Sequence, residues 1–289
     1  MPFVKGHGTE NDFVLLPDPD GALHLTPELV RRICDRRAGI GGDGVLRVVR
    51  SAAMPMDAAD GAEWFMDYRN ADGTTAEMCG NGIRVVARFL VDEGLAPAGE
   101  WAVATRGGVK TVRLGATGDV TVDMGAARLP GTERKVTVAD RSWPAVEVDM
   151  GNPHAVVFVD DLSHAGPLSS VPTVDPAFPG GVNVEFVATL GARHVAIRVH
   201  ERGVGETRSC GTGACASVVA AAGRHQVAAP VSYVVDVPGG RLTVMLRTDG
   251  HLELTGPAVL VGRGELDPGW VDQGAPARPG NADDRSART

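Results

Sequence analysis

Short apolar runs with alternating polar positions recur along most of the chain. Typical runs are GVLRVVR, DVTVDMG, HAVVFVDD and HVAIRVHERG, and Gly, Pro or Asp stands between successive runs. Alternation with a period of two is typical of strands with one buried face. Gly, Pro and Asp between such runs favour turns. VPGGRL and RTDGHLEL both have the composition of tight hairpins. The pattern therefore predicts many short, largely antiparallel strands.

Helical spacing is confined to a few segments. TPELVRRICDR begins with a potential cap at Thr26 and has Pro27 in the first helical position. In NGIRVVARFLVDEGL the apolar residues recur at helical spacing, and Gly94 is a natural end. Residues 214–222 are small or apolar on every face, which is typical of a helix surrounded by protein.

The last two of these helices are preceded by the same short element. The first copy is CGNG from Cys79 to Gly82, and the second is CGTG from Cys210 to Gly213. Predicted strands flank each helix on both sides. We therefore predict an α/β fold of the α+β kind, with two pseudo-symmetric halves. Each half is expected to be a curved, mostly antiparallel sheet wrapped around one central buried helix.

The predicted boundary between the halves falls near residue 128. Residues 1–128 form the first half, which carries Cys79, and residues 129–264 form the second, which carries Cys210. The segment 265–272 is a candidate addition to the first half. Residues 273–289 contain few apolar side chains, so we expect a disordered tail there.

Composition excludes several classes of protein. The net charge is −8 and aromatic residues make up only 4%, so neither a basic footprint nor an aromatic platform for nucleic acid is present. No apolar run is long enough for a membrane span, and the N-terminus lacks the apolar core of a signal peptide. We expect a cytoplasmic protein. Four cysteines are too few for a disulfide framework, and none of them has zinc-site spacing.

The repeated element suggests chemistry at the helix starts. A helix N-terminus carries unpaired N–H groups and partial positive charge, which can bind an anion and lower the pKa of a cysteine placed there. Two such sites facing one another could hold one carboxylate, with a thiol on each side of the attached carbon. One thiolate would remove a proton from that carbon, and the opposite thiol would return one to the other face. This inversion needs neither a metal nor a cofactor.

Other interpretations of the cysteines remain open at this point. A redox disulfide between Cys79 and Cys210 is the main chemical alternative. Cys34 and Cys215 lie in predicted helices, and we interpret both as packing residues.

The sequence closely resembles the diaminopimelate epimerases. The matching segments occur in order through most of the chain: ENDF, GIGGDGVL, RNADG, EMCGNGIR, MGNPHAV, GVNVEFV, ERGVGET and SCGTGACAS. The resemblance implies an isomerase that interconverts LL- and meso-diaminopimelate with two cysteines and without pyridoxal phosphate. It also implies two α/β halves, a homodimer, and a role in lysine and peptidoglycan synthesis.

The resemblance assigns roles to individual residues. Cys79 and Cys210 would be the acid–base pair, with His154 and Glu201 assisting, and Glu201 would face the reacting amine. The substrate carboxylate at the reacting carbon would bind at Gly80, Asn81, Gly211 and Thr212. The distal amino-acid end would be recognised by Asn11, Asn70, Asn152, Asn183 and Arg202. From residue type alone, Asn11 can equally be a turn residue, His154 a structural hydrogen bonder, and Arg202 an ion-pair partner of Glu201.

Two positions differ from residues common in that family. Glu10 stands where glycine is frequent, and Gly44 stands where some members have a substrate-contacting glutamine. We expect the first to alter the Asn11 loop and the second to leave only backbone at that point. The alternatives in function are a two-thiol racemase similar to proline racemase, and a non-catalytic amino-acid-binding or redox protein.

Overall fold

Strands dominate the computed structural model, which describes residues 1–54, 61–114 and 118–272. The strands within these residues are β1 (Pro2–Gly8), β2 (Asn11–Pro17), β3 (Gly44–Arg50), β4 (Trp64–Asn70), β5 (Glu100–Thr105), β6 (Gly108–Leu114), β7 (Val120–Ala126), β8 (Glu133–Val138), β9 (Arg141–Asp149), β10 (Pro153–Phe158), β11 (Thr173–Asp175), β12 (Asn183–Gly191), β13 (His194–Glu201), β14 (Gly205–Thr207), β15 (Val231–Val237), β16 (Gly240–Leu246), β17 (His251–Gly256) and β18 (Val259–Glu265). The α-helices are α1 (Pro27–Cys34), α2 (Gly80–Asp92), α3 (Gly211–Arg224) and α4 (Pro268–Asp272). The predicted tail at 273–289 lies outside the described residues.

Two rows of strands repeat the same order of pairings. The first row is β18–β1–β2–β3–β4–β5–β6–β7. The second row is β8–β9–β10–β12–β13–β15–β16–β17. In both rows the third and fifth pairings are parallel and the other pairings are antiparallel. The predicted pair of pseudo-symmetric, mostly antiparallel halves is therefore confirmed.

One antiparallel pairing, between β7 and β17, joins the two rows into a continuous sheet. The short strands β11 and β14 are additions that pair with β8 and β13. The last strand, β18, pairs with β1 at the start of the chain. The division of the chain at residues 128 and 264 stays a prediction.

Each row of strands surrounds one helix. Helix α2 contacts strands from both ends of the first row, including β1, β6, β7 and β18, and α3 does the same in the second row with β9, β10, β16 and β17. Because α3 is built from alanine, glycine and other small residues, the strands can approach it closely on every side. Its Ser217 hydroxyl is fully buried and donates to the carbonyl of Gly213 at 2.7 Å. Both helices belong to one continuous apolar core.

Helix α1 lies outside that core and covers a separate apolar cluster. The Thr26 hydroxyl accepts the N–H of Leu29 at 3.2 Å, so the predicted N-cap is confirmed. Ile33 and Cys34 are buried in this cluster, with side chains from β2 and β3. Burial raises the pKa of Cys34 to about 12, which agrees with its interpretation as a packing residue. No helix within the described residues is long and apolar enough to cross a membrane.

The starts of α2 and α3 are in contact with each other. A Cβ added at Gly211 would lie 3.3 Å from the Cα of Gly80, and only 3.0 Å from Cδ2 of Leu254 on β17. The same leucine carbon lies 3.3 Å from the position of a Cβ on Gly80. Glycine at both helix starts therefore allows a backbone approach that a side chain would prevent. Leu254 fills the space beside this contact.

We predict that Leu254→Ala destabilises the protein by about 2–5 kcal/mol, because it leaves a cavity between the two helix starts. Leu254 is fully buried. Urea unfolding of the variant measures the change. The control is Val261→Ala on β18, where the side chain is 63% exposed and a change within about 0.5 kcal/mol is expected. Equal effects of the two substitutions would contradict this role for Leu254.

Candidate active site

Cys79 and Cys210 occupy the same position in their two halves. Each is the N-cap residue of its helix, with φ of −140° and −124° respectively and ψ of 116° in both. The sulfur of Cys79 accepts the N–H of Gly82 at 3.4 Å, and that of Cys210 accepts the N–H of Gly213 at the same distance. The repeated CGxG element is therefore a repeated helix cap. All four cysteines of the chain are free thiols in the structure.

Strand register brings the predicted site residues to equivalent places. In the first half, Gly44 pairs with Phe13 on one side and with Asn70 on the other. In the second half, Asn183 pairs with His154. The asparagines at positions 11 and 152 each lie two residues before the paired residue of β2 or β10. The two halves thus contribute matching strand ends to the region around the helix starts.

A buried hydrogen-bond network joins Cys79 to the other half. The thiol of Cys79 donates to Oδ1 of Asn11 at 3.8 Å, and the amide of Asn81 donates to the same oxygen at 3.0 Å. Asn81 also donates to the carbonyl of Ser209 at 2.9 Å, directly before Cys210. Asn11 is held in turn by Asp43, whose carboxylate accepts its amide at 2.7 Å. The predicted residues Asn11 and Asn81 therefore meet at the first cysteine.

The environment of Cys210 is more acidic. His154 is fully buried, with Nδ1 2.7 Å from the carboxylate of Glu185 and Nε2 3.1 Å from Oδ1 of Asn152. The amide of Asn152 donates to the hydroxyl of Thr212 at 3.4 Å, and that hydroxyl lies 3.5 Å from the sulfur of Cys210. His154 therefore reaches the second cysteine through Asn152 and Thr212.

Glu201 lies beside Cys210 at the end of β13. Burial raises the pKa of its carboxyl, while hydrogen bonds from Thr207 and from the Cys210 thiol act in the opposite direction. The carboxylate has no ion-pair partner among the residues that the structure describes. It is therefore a buried hydrogen-bond acceptor beside Cys210 with no cation paired to it within the described residues.

The thiols are less acidic than their helix positions alone predict. Burial raises the pKa of Cys79 to about 11, although the N–H of Gly82 acts to lower it. Burial also raises the pKa of Cys210 well above its ordinary value, and the charges of Glu201 and Glu185 add to this effect. The expectation of a lowered pKa is therefore wrong for the unliganded site, because removal from water outweighs the helix-end donors. Both thiols are protonated at neutral pH.

Three further residues are predicted to bind the distal end, and their hydrogen bonds lie outside the two cysteine networks. Asn183 is buried, and its side-chain oxygen accepts the backbone N–H of Arg202 at 2.8 Å. The exposed guanidinium of Arg202 donates to the carbonyl of Gly180 at 3.2 Å and forms no ion pair within the described residues. The alternative pairing of Arg202 with Glu201 is therefore not observed. Asn70 donates to the hydroxyl of Thr74 at 3.0 Å.

The two unusual positions have clear structural consequences. Glu10 has a φ of 60°, in the left-handed region where glycine is favoured, and its carboxylate binds Arg208 of the second half at 2.7 Å. A Cβ at Gly44 would lie 2.5 Å from the carbonyl oxygen of Arg69 and 2.7 Å from the ring of Tyr68. Position 44 therefore requires glycine here, because Tyr68 already occupies the adjacent space.

Sequence reasoning missed several residues of the site. Glu185 is fully buried, and one of its carboxylate oxygens has no hydrogen-bond partner within the described residues. Thr9 and Ser209 are buried and share a hydrogen bond of 2.6 Å between the halves. A signal existed for Glu185, because it is a charged residue in the otherwise apolar run NVEFVA. Thr9 lies in a turn and Ser209 in the segment directly before α3, and neither gave such a signal.

Comparison with known proteins gives a consistent family. A sequence profile described as diaminopimelate epimerase matches residues 3–130 and 146–261. The diaminopimelate epimerase of Streptomyces coelicolor is 60% identical over 279 residues, covering 93% of this chain and 96% of that protein. The diaminopimelate epimerase of Mycolicibacterium smegmatis is 48% identical over 290 residues, with 93% and 98% covered.

Solved structures share the fold at low sequence identity. A hydroxyproline epimerase from Agrobacterium vitis, with bound trans-4-OH-L-proline, superimposes with a TM-score of 0.67 at 16% identity, covering 93% of both chains. A phenazine biosynthesis protein of the PhzF family from Bacillus anthracis gives the same TM-score and identity, with 92% and 99% covered. At this identity the likeness concerns the fold alone.

We predict that iodoacetamide modifies Cys79 slowly at neutral pH and faster at alkaline pH. Only the thiolate reacts, so a pKa of about 11 implies a rate that rises about tenfold per pH unit between pH 7 and pH 10. Mass spectrometry of the Cys79 peptide measures the rate. Cys215, with a pKa raised to about 12 and full burial, serves as the slow control. A rate that levels off near pH 7 would contradict the protonated resting state.

Proposed function

The protein belongs to the diaminopimelate epimerase family, and we propose that it interconverts LL-2,6-diaminopimelate and meso-diaminopimelate with Cys79 and Cys210 as the two acid–base groups. The observation that carries this proposal is the duplicated cap. Two cysteines occupy the same N-cap position of two equivalent helices, and the starts of these helices meet. The product would serve lysine and peptidoglycan synthesis.

The proposed reaction is a proton transfer on each face of one carbon. A thiolate on one side takes the α-proton, and the electron pair left on carbon is delocalised into the adjacent carboxylate. The thiol on the other side then donates its proton to the opposite face, so the configuration inverts and the charges of the two sulfurs exchange. Two groups of the same type suit this exchange, because each must act as acid in one direction and as base in the other.

The helix starts would bind the carboxylate attached to the reacting carbon. The first N–H groups of α2 and α3 have no partners within their helices, and they belong to Gly80, Asn81, Gly211 and Thr212. Both helix dipoles present positive charge at this point, which favours an anion between them. Binding here would place the α-carbon between the two sulfurs.

The acidic groups near Cys210 would recognise the ammonium on the reacting carbon. Glu201 lacks a cation partner within the described residues, so the substrate ammonium would supply the missing positive charge. The added charge would also favour formation of a thiolate nearby. His154 would assist by fixing Asn152 and Thr212, through its contacts with Glu185 and Asn152.

Arg202 and the asparagines would read the distal amino-acid end. An exposed guanidinium without an ion pair can bind a carboxylate through two parallel N–H donors. Asn11, Asn70, Asn152 and Asn183 can donate as well as accept, which suits a group that carries both an ammonium and a carboxylate. A two-thiol racemase of proline would have no use for such a set. Incubation with LL-diaminopimelate and with L-proline separates the two activities, and α-proton exchange in D₂O separates catalysis from binding alone.

We further propose that the protein works in the cytoplasm, as a homodimer and without a cofactor. The relationship to the diaminopimelate epimerases is the support for the first two points. Analytical ultracentrifugation of the full-length chain tests the dimer. Treatment with EDTA and with carbonyl reagents tests the third point.

We predict that Cys79→Ala and Cys210→Ala each lower epimerisation by at least about 10²–10⁴-fold, the usual contribution of one general acid–base group. Conversion of LL- to meso-diaminopimelate, followed by chiral chromatography, measures the loss. Each variant loses only the sulfur that accepts the N–H of Gly82 or Gly213, a cap worth about 0.5–2 kcal/mol, so both should remain folded. The matched control is Cys34→Ala, whose thiol lies in the separate cluster under α1, and we expect it to remain active. Near-normal turnover in either active-site variant would contradict the two-cysteine mechanism.

We predict that Arg202→Lys reduces the preference for diaminopimelate over lysine, which lacks the distal carboxylate. A lysine side chain supplies charge but loses the planar pair of donors. Measuring kcat/KM for both compounds tests this, and Arg208→Lys is the control because Arg208 already binds Glu10. If Arg202 is only structural, both substrates lose activity equally and the melting temperature falls.

A further inference from the structure

Arg84 is a buried cation that the proposed reaction does not use. It lies on α2 in the run CGNGIR, five residues after Cys79, and its side chain is fully buried. Among the described residues no carboxylate forms an ion pair with it. Burial lowers its pKa to about 10, so the group remains charged at neutral pH. A buried charge without a counterion is unfavourable for folding, and its presence therefore calls for a functional reason.

The hydrogen bonds of Arg84 run to both halves of the site. One guanidinium nitrogen donates to the carbonyl of Gly80 at 3.3 Å, at the start of its own helix. Another donates to the hydroxyl of Thr9 at 3.2 Å, and that hydroxyl donates to Ser209 at 2.6 Å. The network then leads back to α2, because the carbonyl of Ser209 accepts a hydrogen bond from the amide of Asn81 at 2.9 Å. The result is a closed circuit that includes the residue directly before Cys210.

The backbone is shaped to admit this guanidinium. A Cβ added at Gly8 would lie 2.9 Å from a guanidinium nitrogen, and one at Gly256 would lie 3.6 Å from its central carbon. The third nitrogen donates to the carbonyl of Pro257 at 3.4 Å. Glycine at position 8 therefore leaves room for the arginine between β1 and the segment that connects β17 to β18.

The pseudo-symmetric position in the other half carries no charge. Cys215 lies five residues after Cys210, as Arg84 lies five residues after Cys79, and it is fully buried in α3. At a second pair of equivalent positions, the charged side chain lies in the second half instead of the first. The helix glycine next to Cys79, Gly82, faces Leu46, whereas its counterpart in α3, Gly213, faces the carboxylate of Glu185. The cation is thus on the side of Cys79 and the extra anion on the side of Cys210.

We propose that Arg84 is a positioning residue that acts on both cysteines in two separable ways. Its hydrogen bonds to Gly80 and Thr9 fix the two helix starts against each other. Its charge makes the thiolate of Cys79 more accessible than that of Cys210. Cys79 is therefore the sulfur that loses its proton more readily, and it acts as base in the direction of the reaction that starts on its side of the carbon. This inference rests on the proposed acid–base role of the two cysteines.

The charged and titratable groups around the sulfurs agree with this assignment. Glu201 acts on both sulfurs and raises the pKa of each, and Glu185 acts in addition on Cys210. Arg84 lowers the pKa of Cys79, and the Cys79 thiolate also raises that of Tyr68 on β4.

Two further groups face Arg84 itself. These are Cys215 on α3 and Asp119 directly before β7, and each favours the charged guanidinium. Neither forms a hydrogen bond with Arg84 in the described structure. The charge of Arg84 thus acts on Cys215 as well as on Cys79.

The test compares two substitutions of Arg84, which alter its charge or its hydrogen bonds, with one substitution that interrupts only the hydrogen-bond circuit. Arg84→Met removes both, Arg84→Lys retains the charge but not the planar donors, and Thr9→Val interrupts the link to Ser209 without changing charge. Iodoacetamide labelling of each cysteine in the full-length protein is followed by peptide mass spectrometry from pH 7 to pH 10. Steady-state kcat and KM are measured in parallel.

For Arg84→Met we expect the pKa of Cys79 to rise, because a charge that lowers it is lost, so that its labelling slows at each pH relative to the labelling of Cys210. Arg84→Lys should retain the labelling rate of Cys79. Thr9→Val should also retain it but lower kcat with little change in KM. The control is Arg47→Met, because Arg47 is buried and paired with Asp18, and its loss should lower stability without altering either labelling rate.

Unchanged labelling of Cys79 relative to Cys210 in Arg84→Met would overturn the electrostatic part of the proposal. A normal kcat in Thr9→Val would overturn the positioning part, and this variant decides the matter if Arg84→Met does not fold. Labelling does not depend on turnover. A negative labelling result therefore counts against the role of Arg84 alone. The proposed function itself is tested by the cysteine variants.

Discussion

The contact between the starts of α2 and α3 is the constraint on which the rest of the site depends. Two helix N-termini carry like partial charge, so bringing them together is unfavourable without an anion between them. The chain imposes the contact through glycine at positions 80 and 211 and through Leu254, which packs beside both. Each strand row then encloses one of the two helices. In the proposed function, this arrangement attracts the substrate carboxylate to a point between the two thiols.

The symmetry of the backbone does not extend to charge. Strand order, helix position and cap geometry repeat in both halves, so each cysteine has the same local environment of N–H donors. The buried side chains around them differ, with Arg84 near the first cysteine and Glu185 with His154 near the second. A reversible reaction needs two groups of the same type, but a resting enzyme benefits when one of them loses its proton more readily. The two halves have the same backbone arrangement but different buried charges. This difference in charge makes one thiol lose its proton more readily than the other.

Neighbouring side chains also account for the two positions that differ from residues common in the family. Glu10 adopts a left-handed backbone conformation, and its ion pair with Arg208 connects the loop before Asn11 to the second half. Gly44 leaves space that the ring of Tyr68 fills, with an edge-to-face contact to Phe13 at 5.9 Å between centroids. In both cases a neighbouring side chain compensates for the substitution, and the hydrogen bonds of Asn11 to Asn81 and Asp43 are maintained.

The sequence by itself determined the local elements: the alternating strands, the Thr26 cap, the two buried helices and the cysteines that cap them. These depend on residues close together in the chain, where periodicity and capping act directly. The order of motifs also determined the family. Only the tertiary structure decided the thiol pKa, the pairing of His154 with Glu185 and the circuit through Arg84, Thr9 and Ser209. Thr9 and Ser209 are separated by 200 residues, and burial depends on packing from distant strands. No local pattern encodes the removal of water, which is why a helix-end cysteine expected to be acidic is instead held as a thiol.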